Sequence, residues 1–124
     1  MQSFPMLIDG QLVQTPEQDN VINPAQAAPF ATCARAGKAH VDQAVAAAAR
    51  AYRTWRTDEA FRRQKLNECA AAIQGRVNDI ATVLVQEQGK PLGKAIEEVF
   101  GASFWFSYFA GLQIKPEIIQ DDHT

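Results

Sequence analysis

The residues that most often carry out covalent or proton-transfer chemistry are few in this sequence. The histidines are His40, at the expected start of a helix, and His123 in the C-terminal tail. A nucleophile that histidine activates needs the imidazole on a rigid element within hydrogen-bond reach. Neither position offers that, and no Cys-x-x-Cys, His-x-x-x-His or Asp-x-Asp-x-Asp spacing occurs for a metal. The sequence therefore predicts no catalytic residue and no metal ligand in this chain.

The two cysteines, Cys33 and Cys69, each allow a catalytic and a structural interpretation. An ionised thiol is a good nucleophile, whereas a protonated one packs as a small apolar side chain. Cys69 lies between Leu66 and Ile73 in an apolar helical stripe, so we expect it in the core. We expect the same of Cys33, in a predicted strand. Residues 1–10 lack the pattern of a secretion signal, which favours reduced thiols and a cytoplasmic location.

A glycine-containing segment, Gly89-Lys90-Pro91-Leu92-Gly93-Lys94, superficially resembles a phosphate-binding loop. Such a loop directs consecutive backbone N–H groups at the phosphate, and Pro91 has no N–H to donate. The segment also lacks the Walker and dinucleotide-binding patterns. We therefore expect a junction between two helices and no cofactor-binding residue.

Charged pairs give no stronger indication of a site. Glu97 and Glu98 are adjacent, and adjacent side chains on a helix point about 100° apart, so they cannot face one substrate together. We expect Glu97 to be solvated. The Arg62-Arg63 pair, like the arginines of the first helix, is expected to form a solvated face.

Composition limits the class of protein that must position these residues. The chain has 124 residues, 47% hydrophobic and 21% charged, with a formal net charge of -2. This suits one ordinary globular domain and disfavours a disordered chain. The charge gives no basic surface for nucleic acid or anionic lipid, and no apolar run reaches the ~20 residues of a membrane span. We expect neither nucleic acid nor membrane as a partner.

Short apolar runs separated by turn residues predict strands at the start of the chain. Met6-Leu7-Ile8 and Gln11-Leu12-Val13 flank Asp9-Gly10, and an Asp-Gly pair between apolar runs is a strong hairpin signal. A second strand pair is expected from Val21-Ile22 and Phe30 to Ala34, separated by the Asn23-Pro24 turn.

Helical periodicity begins at Val41. Apolar residues at spacings of three and four predict one helix to Trp55, a second run from about Asp58 to Gln88 and a third helix from about Pro91 to Ala110. Gly75 predicts a kink or break in the second run. The sequence thus indicates an α+β fragment, mostly helical with three to four helices.

The third helix is unusual because aromatic residues surround its axis in the second half. Such a helix is normally buried on more than one side. After it, Ile114, Ile118 and Ile119 suggest a strand that begins and does not finish. Both features suggest part of a larger domain. The aromatic residues are Phe100, Phe104, Trp105, Phe106, Tyr108 and Phe109.

The order of several motifs resembles the N-terminal segment of the NAD(P)-dependent aldehyde dehydrogenase superfamily. The resemblance extends over nearly the whole chain. Its motifs are Leu7-Ile8-Asp9-Gly10-Gln11-Leu12-Val13, Ile22-Asn23-Pro24-Ala25, Val41-Asp42-Gln43-Ala44-Val45 with Trp55, Glu87-Gln88-Gly89-Lys90-Pro91-Leu92, Glu98-Val99 and Tyr108-Phe109-Ala110-Gly111.

The resemblance implies an enzyme of which this chain is one segment. Family members combine a Rossmann-like α/β cofactor domain, a catalytic domain and a β-hairpin oligomerisation arm. A cysteine attacks the aldehyde, hydride passes to NAD or NADP, and a water activated by a glutamate hydrolyses the thioester. The corresponding motifs lie downstream, so neither Cys33 nor Cys69 takes the nucleophile's role. The chain alone is expected to bind no cofactor and to be inactive.

Within this segment the resemblance implies three parts: 1–37 a β-hairpin and strands, 38–111 helices, and 112–124 the start of the oligomerisation arm. Many members also hold a monovalent cation, and its ligands would map to the Ile22 carbonyl and Glu98. A third ligand comes from later sequence, so we expect Glu98 to be braced or solvated instead.

Two kinds of partner follow. The bare apolar surface of the third helix predicts self-association as a dimer or higher oligomer, and the resemblance implies the remainder of the dehydrogenase. The alternative function is a stand-alone helical interaction module that docks through Phe100 to Phe109.

Overall fold

Five short strands precede four helices along the part of the chain that the structure, a computed structural model, describes: residues 1–114, 117 and 119. The strands are β1 (Gln2–Phe4), β2 (Met6–Ile8), β3 (Gln11–Val13), β4 (Gln18–Asn23) and β5 (Ala28–Ala34). The helices are α1 (Lys38–Trp55), α2 (Glu59–Gln74), α3 (Val77–Gln88) and α4 (Leu92–Gly111). The predicted mostly helical α+β fragment is confirmed.

The predicted hairpin is formed by β2 and β3. Met6 pairs with Val13 and Ile8 with Gln11 in an antiparallel register. Asp9 and Gly10 both have positive φ, 52° and 75°, as the tight turn of a two-residue hairpin requires. The short-range signal in the sequence was sufficient here.

A separate three-stranded sheet has the order β1-β5-β4. The predicted antiparallel pair is present as β4 and β5, with an irregular register between Val21 and Ile22. β1 adds a parallel edge strand in which Gln2 pairs with Ala31. β1 was not predicted from the sequence, because three residues carry too little alternation to identify a strand.

An ion pair between Arg35 and Asp19 lies on this sheet and is expected to make the stability of the fold depend on pH. Arg35 Nε donates to the Asp19 carboxylate oxygens at 3.0 and 3.1 Å, and this hydrogen bond holds the pKa of Asp19 below its usual range. Because the pKa of Asp19 is lower in the folded than in the unfolded chain, the ion pair stabilises the fold at pH values above the ordinary aspartate pKa. This stabilisation is lost as the pH falls through the pKa of Asp19 in the folded chain. Replacing Arg35 with glutamine is therefore expected to raise the Asp19 pKa to its ordinary range.

A carboxyl-carbon NMR titration of Asp19 in both proteins measures this change. Arg53→Gln, which alters an exposed arginine on α1, serves as the control and is expected to leave the Asp19 titration unchanged. An Asp19 pKa that does not move in Arg35→Gln contradicts the assignment.

Helix ends follow the residues that the sequence indicated. The Asp58 side chain accepts a hydrogen bond from Phe61 N at 2.8 Å and caps α2. The long second run breaks into α2 and α3 as predicted, at Gly75 and at Arg76, whose φ and ψ of -126° and 23° are not helical. α3 ends at Gly89, in the left-handed conformation with φ 69°.

Small residues line the contacts of α4 with α2 and α3. Val77 and Ala81 of α3 pack with Ala95 and Val99 of α4 in one buried cluster. Toward α2, the buried Ser103 hydroxyl donates to the Ala70 carbonyl at 3.3 Å. Small side chains let the helix axes come close, so α4 is held on two sides and leaves a third side uncovered.

The apolar face predicted for α1 is not buried in the described part of the chain. Val41, Val45 and Tyr52 are exposed, Tyr52 at 60%, and Ala47 is the buried residue of α1. The periodicity predicted the amphipathic helix α1 correctly. It carries no information about which element covers the apolar face of that helix.

The prediction that Cys69 is a core residue is wrong, because its side chain is exposed. The buried residue of α2 is Ala70, whose carbonyl accepts from Ser103 of α4, and the neighbouring position on a helix points about 100° away. Cys33 is partly buried in β5, opposite Asp19. The strand start expected at Ile118, most of the segment 112–124 and His123 lie outside the described residues.

Candidate functional site

Two motifs that are far apart in the sequence meet where α3 ends. The Asn23 side chain is buried and accepts a hydrogen bond from Ala25 N at 2.9 Å, which fixes the turn containing Pro24. Gly89 lies against that turn so closely that a Cβ atom there would be 2.9 Å from Pro24 Cγ. Gly89 N also donates to the Val85 carbonyl at 2.8 Å. The segment expected to be a helix junction is confirmed as one.

Glu98 is paired with Lys90 across the same junction. The Lys90 side chain is 24% exposed and that of Glu98 is 54% exposed, so Glu98 is paired with a lysine and is also partly solvated. Glu97 is solvated and pairs with Lys94 at 2.6 Å.

The prediction that Arg62 and Arg63 form a solvated face is wrong. Arg62 Nη1 donates to the Trp55 carbonyl at 2.6 Å, at the end of α1. Arg63 donates to the Ala110 carbonyl at 2.9 Å and the Leu112 carbonyl at 2.7 Å, at the end of α4. Helix C termini carry unpaired carbonyls and partial negative charge, which arginine satisfies. One turn of α2 thus caps two other helices.

These arginines were missed because their acceptors are backbone groups, which have no sequence signature. Only the Arg62 contact could have been predicted from the sequence, because Arg62 follows a short turn after Trp55 and is therefore close to the end of α1. Two other polar contacts involve side chains of α1. His40 Nδ1 accepts from Gly37 N at 3.1 Å, and Arg50 pairs with Asp9 of the hairpin turn at 2.8 Å.

The second half of α4 presents an uncovered aromatic face. Phe104 stacks on Tyr108 with ring centroids 6.2 Å apart, and Trp105 stacks on Phe109 at 6.0 Å. A groove of about 380 Å³ beside them is lined by apolar residues alone. We call this surface the aromatic face; it comprises Phe100, Phe104, Trp105, Tyr108 and Phe109, each exposed by 48% to 59%.

The described residues hold no arrangement for covalent catalysis. Cys33 and Cys69 are free thiols, and no hydrogen bond described for the chain joins either to a histidine. Within residues 1–114, 117 and 119, no group of three or more His, Cys, Asp and Glu side chains could hold a metal ion. The described residues instead form a helix junction, two helix caps and uncovered apolar surfaces.

No helix among the described residues combines the length and the apolar character needed to cross a membrane.

Comparison with known proteins matches this chain to an enzyme family. A model of the aldehyde dehydrogenase family matches residues 13–122. A probable aldehyde dehydrogenase of a Pseudomonas species is 35% identical over 120 residues, which cover 96% of this chain and 24% of that protein. The 1-pyrroline-5-carboxylate dehydrogenase of Bacillus pumilus SAFR-032 is 35% identical over 111 residues, covering 88% of this chain and 22% of that protein.

Solved structures give the same result. Lactaldehyde dehydrogenase from Escherichia coli superposes with a TM-score of 0.90 at 30% identity, over 98% of this chain and 27% of that one. The chain therefore spans about a quarter of the length of the relatives it matches. The match to these enzymes does not support the alternative function, a stand-alone interaction module. The chain belongs to the aldehyde dehydrogenase family and corresponds to its N-terminal segment.

Proposed function

We propose that this chain is the structural opening of a subunit that oxidises an aldehyde to a carboxylic acid with NAD or NADP. The observation that carries the proposal is the match of nearly the whole chain to about a quarter of several aldehyde dehydrogenases. The segment's part is to hold the Asn23-Pro24 turn, the α3–α4 junction and the helix caps in place. The remaining three quarters of the enzyme would then supply the nucleophile, the general base and the cofactor site.

The proposal includes three further features of the chain by itself. It has no turnover, because the described residues contain no thiol paired with a base. It binds no cofactor, because the family's cofactor motifs would lie in the remaining three quarters of the enzyme. It associates with itself, because the aromatic face is uncovered. It resides in the cytoplasm, where its two free thiols stay reduced. The proposed division has strands at 1–37, helices at 38–111 and the start of an oligomerisation arm at 112–124.

A chimera tests whether the segment serves an enzyme. This chain replaces the matching segment of the 1-pyrroline-5-carboxylate dehydrogenase of Bacillus pumilus, and NADH or NADPH formation is followed with a panel of aldehydes. We expect no turnover by the chain alone and measurable turnover by the chimera. The relative without its matching segment is the control. Turnover by the chain alone refutes its inactivity, and a folded but inactive chimera refutes the structural role.

A further inference from the structure

The start of α1 is held by a histidine side chain. Gly37 is the N-cap residue of α1; it is extended, with φ -95° and ψ 174°, and has no side chain with which to cap the helix. Instead, His40 Nδ1 accepts a hydrogen bond from Gly37 N at 3.1 Å. No other side chain among the described residues binds a backbone N–H group of this turn. The imidazole is therefore the side-chain contact that fixes the first turn of α1.

This hydrogen bond can form only while the imidazole is neutral. Because Nδ1 accepts, the ring carries its proton on Nε2, and a second proton would turn Nδ1 into a donor that faces the N–H group of Gly37. Two donors cannot bond to each other, so protonation breaks the contact. Histidine is the side chain that ordinarily changes its charge between about pH 5 and 8.

The helix itself adds an electrostatic effect of the same sign. A helix N terminus carries partial positive charge and is destabilised by a nearby cation. The first turn of α1 contains no acidic residue, and it already contains Lys38. A protonated His40 would add a second positive charge to this turn. Both effects favour an ordered first turn with the neutral ring and a frayed one with the charged ring.

The charged groups around α1 do not offset the charge on a protonated ring. None of the described hydrogen bonds and ion pairs joins His40 to a charged side chain. Helix α1 packs on β2 of the hairpin and on α2, and α2 meets it at the far end, where Arg62 binds the Trp55 carbonyl. The charged groups of the preceding segment, the hairpin and the start of α1 pair with one another: Arg35 with Asp19 and Glu17, Asp9 with Arg50, and Lys38 with Asp42.

The segment before α1 limits how far the change can spread. Arg35 N donates to the Glu17 carbonyl at 3.0 Å, and the Thr15 hydroxyl donates to the Arg35 carbonyl at 3.2 Å. Backbone amides and hydroxyl groups do not titrate in the range in which histidine does, so these bonds remain when the imidazole is protonated. The end of β5 therefore stays in place while the first turn of α1 changes.

We propose that His40 is a pH-sensitive cap: the neutral imidazole orders the first turn of α1, and its protonation releases residues 37–41 while β5 and the rest of α1 stay folded. The change is reversible, because only a proton is bound or released. This cap is independent of the enzymatic role proposed above, so a failure of either leaves the other intact.

An NMR titration of the unaltered chain from about pH 8 to about pH 5 tests the cap. As the His40 ring titrates, we expect the ratio of ordered to frayed first turn, measured from the Cα shifts of residues 38–41, to fall about tenfold. The Cα shifts of Arg35 and Ala47 should not change. Assignment of the ring signals separates His40 from His123. Helical shifts that persist after the His40 ring is protonated overturn the proposal.

The tautomer of the neutral ring gives an independent test at the high-pH end of the titration. Ring nitrogen shifts distinguish a proton on Nε2 from one on Nδ1, and the hydrogen bond from Gly37 N requires the proton of His40 on Nε2. A neutral ring with its proton on Nδ1 overturns the proposal.

Two substitutions separate the cap from other effects of pH. Glutamine in His40→Gln can accept from Gly37 N as in a capping box and does not titrate, so we expect an ordered first turn at both ends of the range. Alanine in His40→Ala has no acceptor, so we expect a frayed first turn at both ends. Circular dichroism shows whether each variant is folded.

The variants also give the results that would contradict the cap. A His40→Gln variant that loses its first turn on acidification as the unaltered chain does shows that another group is responsible, and this overturns the proposal. A His40→Ala variant whose first turn is as ordered as that of the unaltered chain at about pH 8 overturns it as well, because the imidazole then fixes nothing.

Discussion

Replacing Gly89 with alanine is expected to lower the free energy of unfolding by about 3 kcal/mol. Two effects add at this position. The backbone is left-handed, with φ 69°, and a side chain there is strained by about 1–2 kcal/mol. The new Cβ atom would also lie 2.9 Å from Pro24 Cγ, and a proline ring cannot rotate away. Either the Asn23-Pro24 turn or the end of α3 must shift.

Urea unfolding followed by circular dichroism measures the change. Gly93→Ala is the matched control, since a Cβ atom at Gly93 meets nothing within 4 Å and its φ is not positive. Because alanine favours a helix, that variant should be as stable as the unaltered chain or more so. Equal stability of Gly89→Ala and Gly93→Ala would show that the junction does not depend on the glycine.

Replacing Arg63 with methionine is expected to cost about 2 kcal/mol of stability. Methionine keeps most of the apolar length of the arginine stem but removes the donors to the Ala110 and Leu112 carbonyls. Hydrogen bonds from a charged donor each contribute about 1.5–3 kcal/mol, and the partial exposure of Arg63, 26% of its side chain, reduces the total. The last turn of α4 should fray.

Amide hydrogen exchange at the C terminus of α4, together with urea unfolding, tests this expectation. Arg53→Met removes an exposed arginine of α1 and should change stability by less than about 0.5 kcal/mol. Arg63→Lys keeps the charge but loses the planar fork, so an intermediate result is expected. Unchanged exchange near Ala110 in Arg63→Met would mean that the cap contributes nothing.

Features decided by neighbours in the sequence were predictable. The Asp9-Gly10 turn, the Asp58 cap and the break beside Gly75 each depend on the conformational preferences of one or two residues. The family could also be identified, because its motifs occur in order along the chain. A fixed order of motifs from Leu7 to Gly111 is far more specific than any one of the motifs.

Features decided by contacts across the fold were not predictable. Cys69 shares a helical stripe with Leu66 and Ile73, yet α4 packs on Ala70, and periodicity locates a buried stripe only to within about one residue. Arg63 binds carbonyls that are 47 and 49 residues away. Helix α1 is amphipathic, but no described element covers its apolar face. In each case the missing information is which element lies opposite.

The two caps made by α2 differ in when they can form during synthesis. The Arg62 cap joins residues 7 apart in the chain, so it can close as soon as α2 leaves the ribosome. The Arg63 cap waits for residues 47 and 49 positions later, about 2–10 s at roughly 5–20 residues per second. During that interval α1 and α2 are joined while the α4-facing side of α2 is bare.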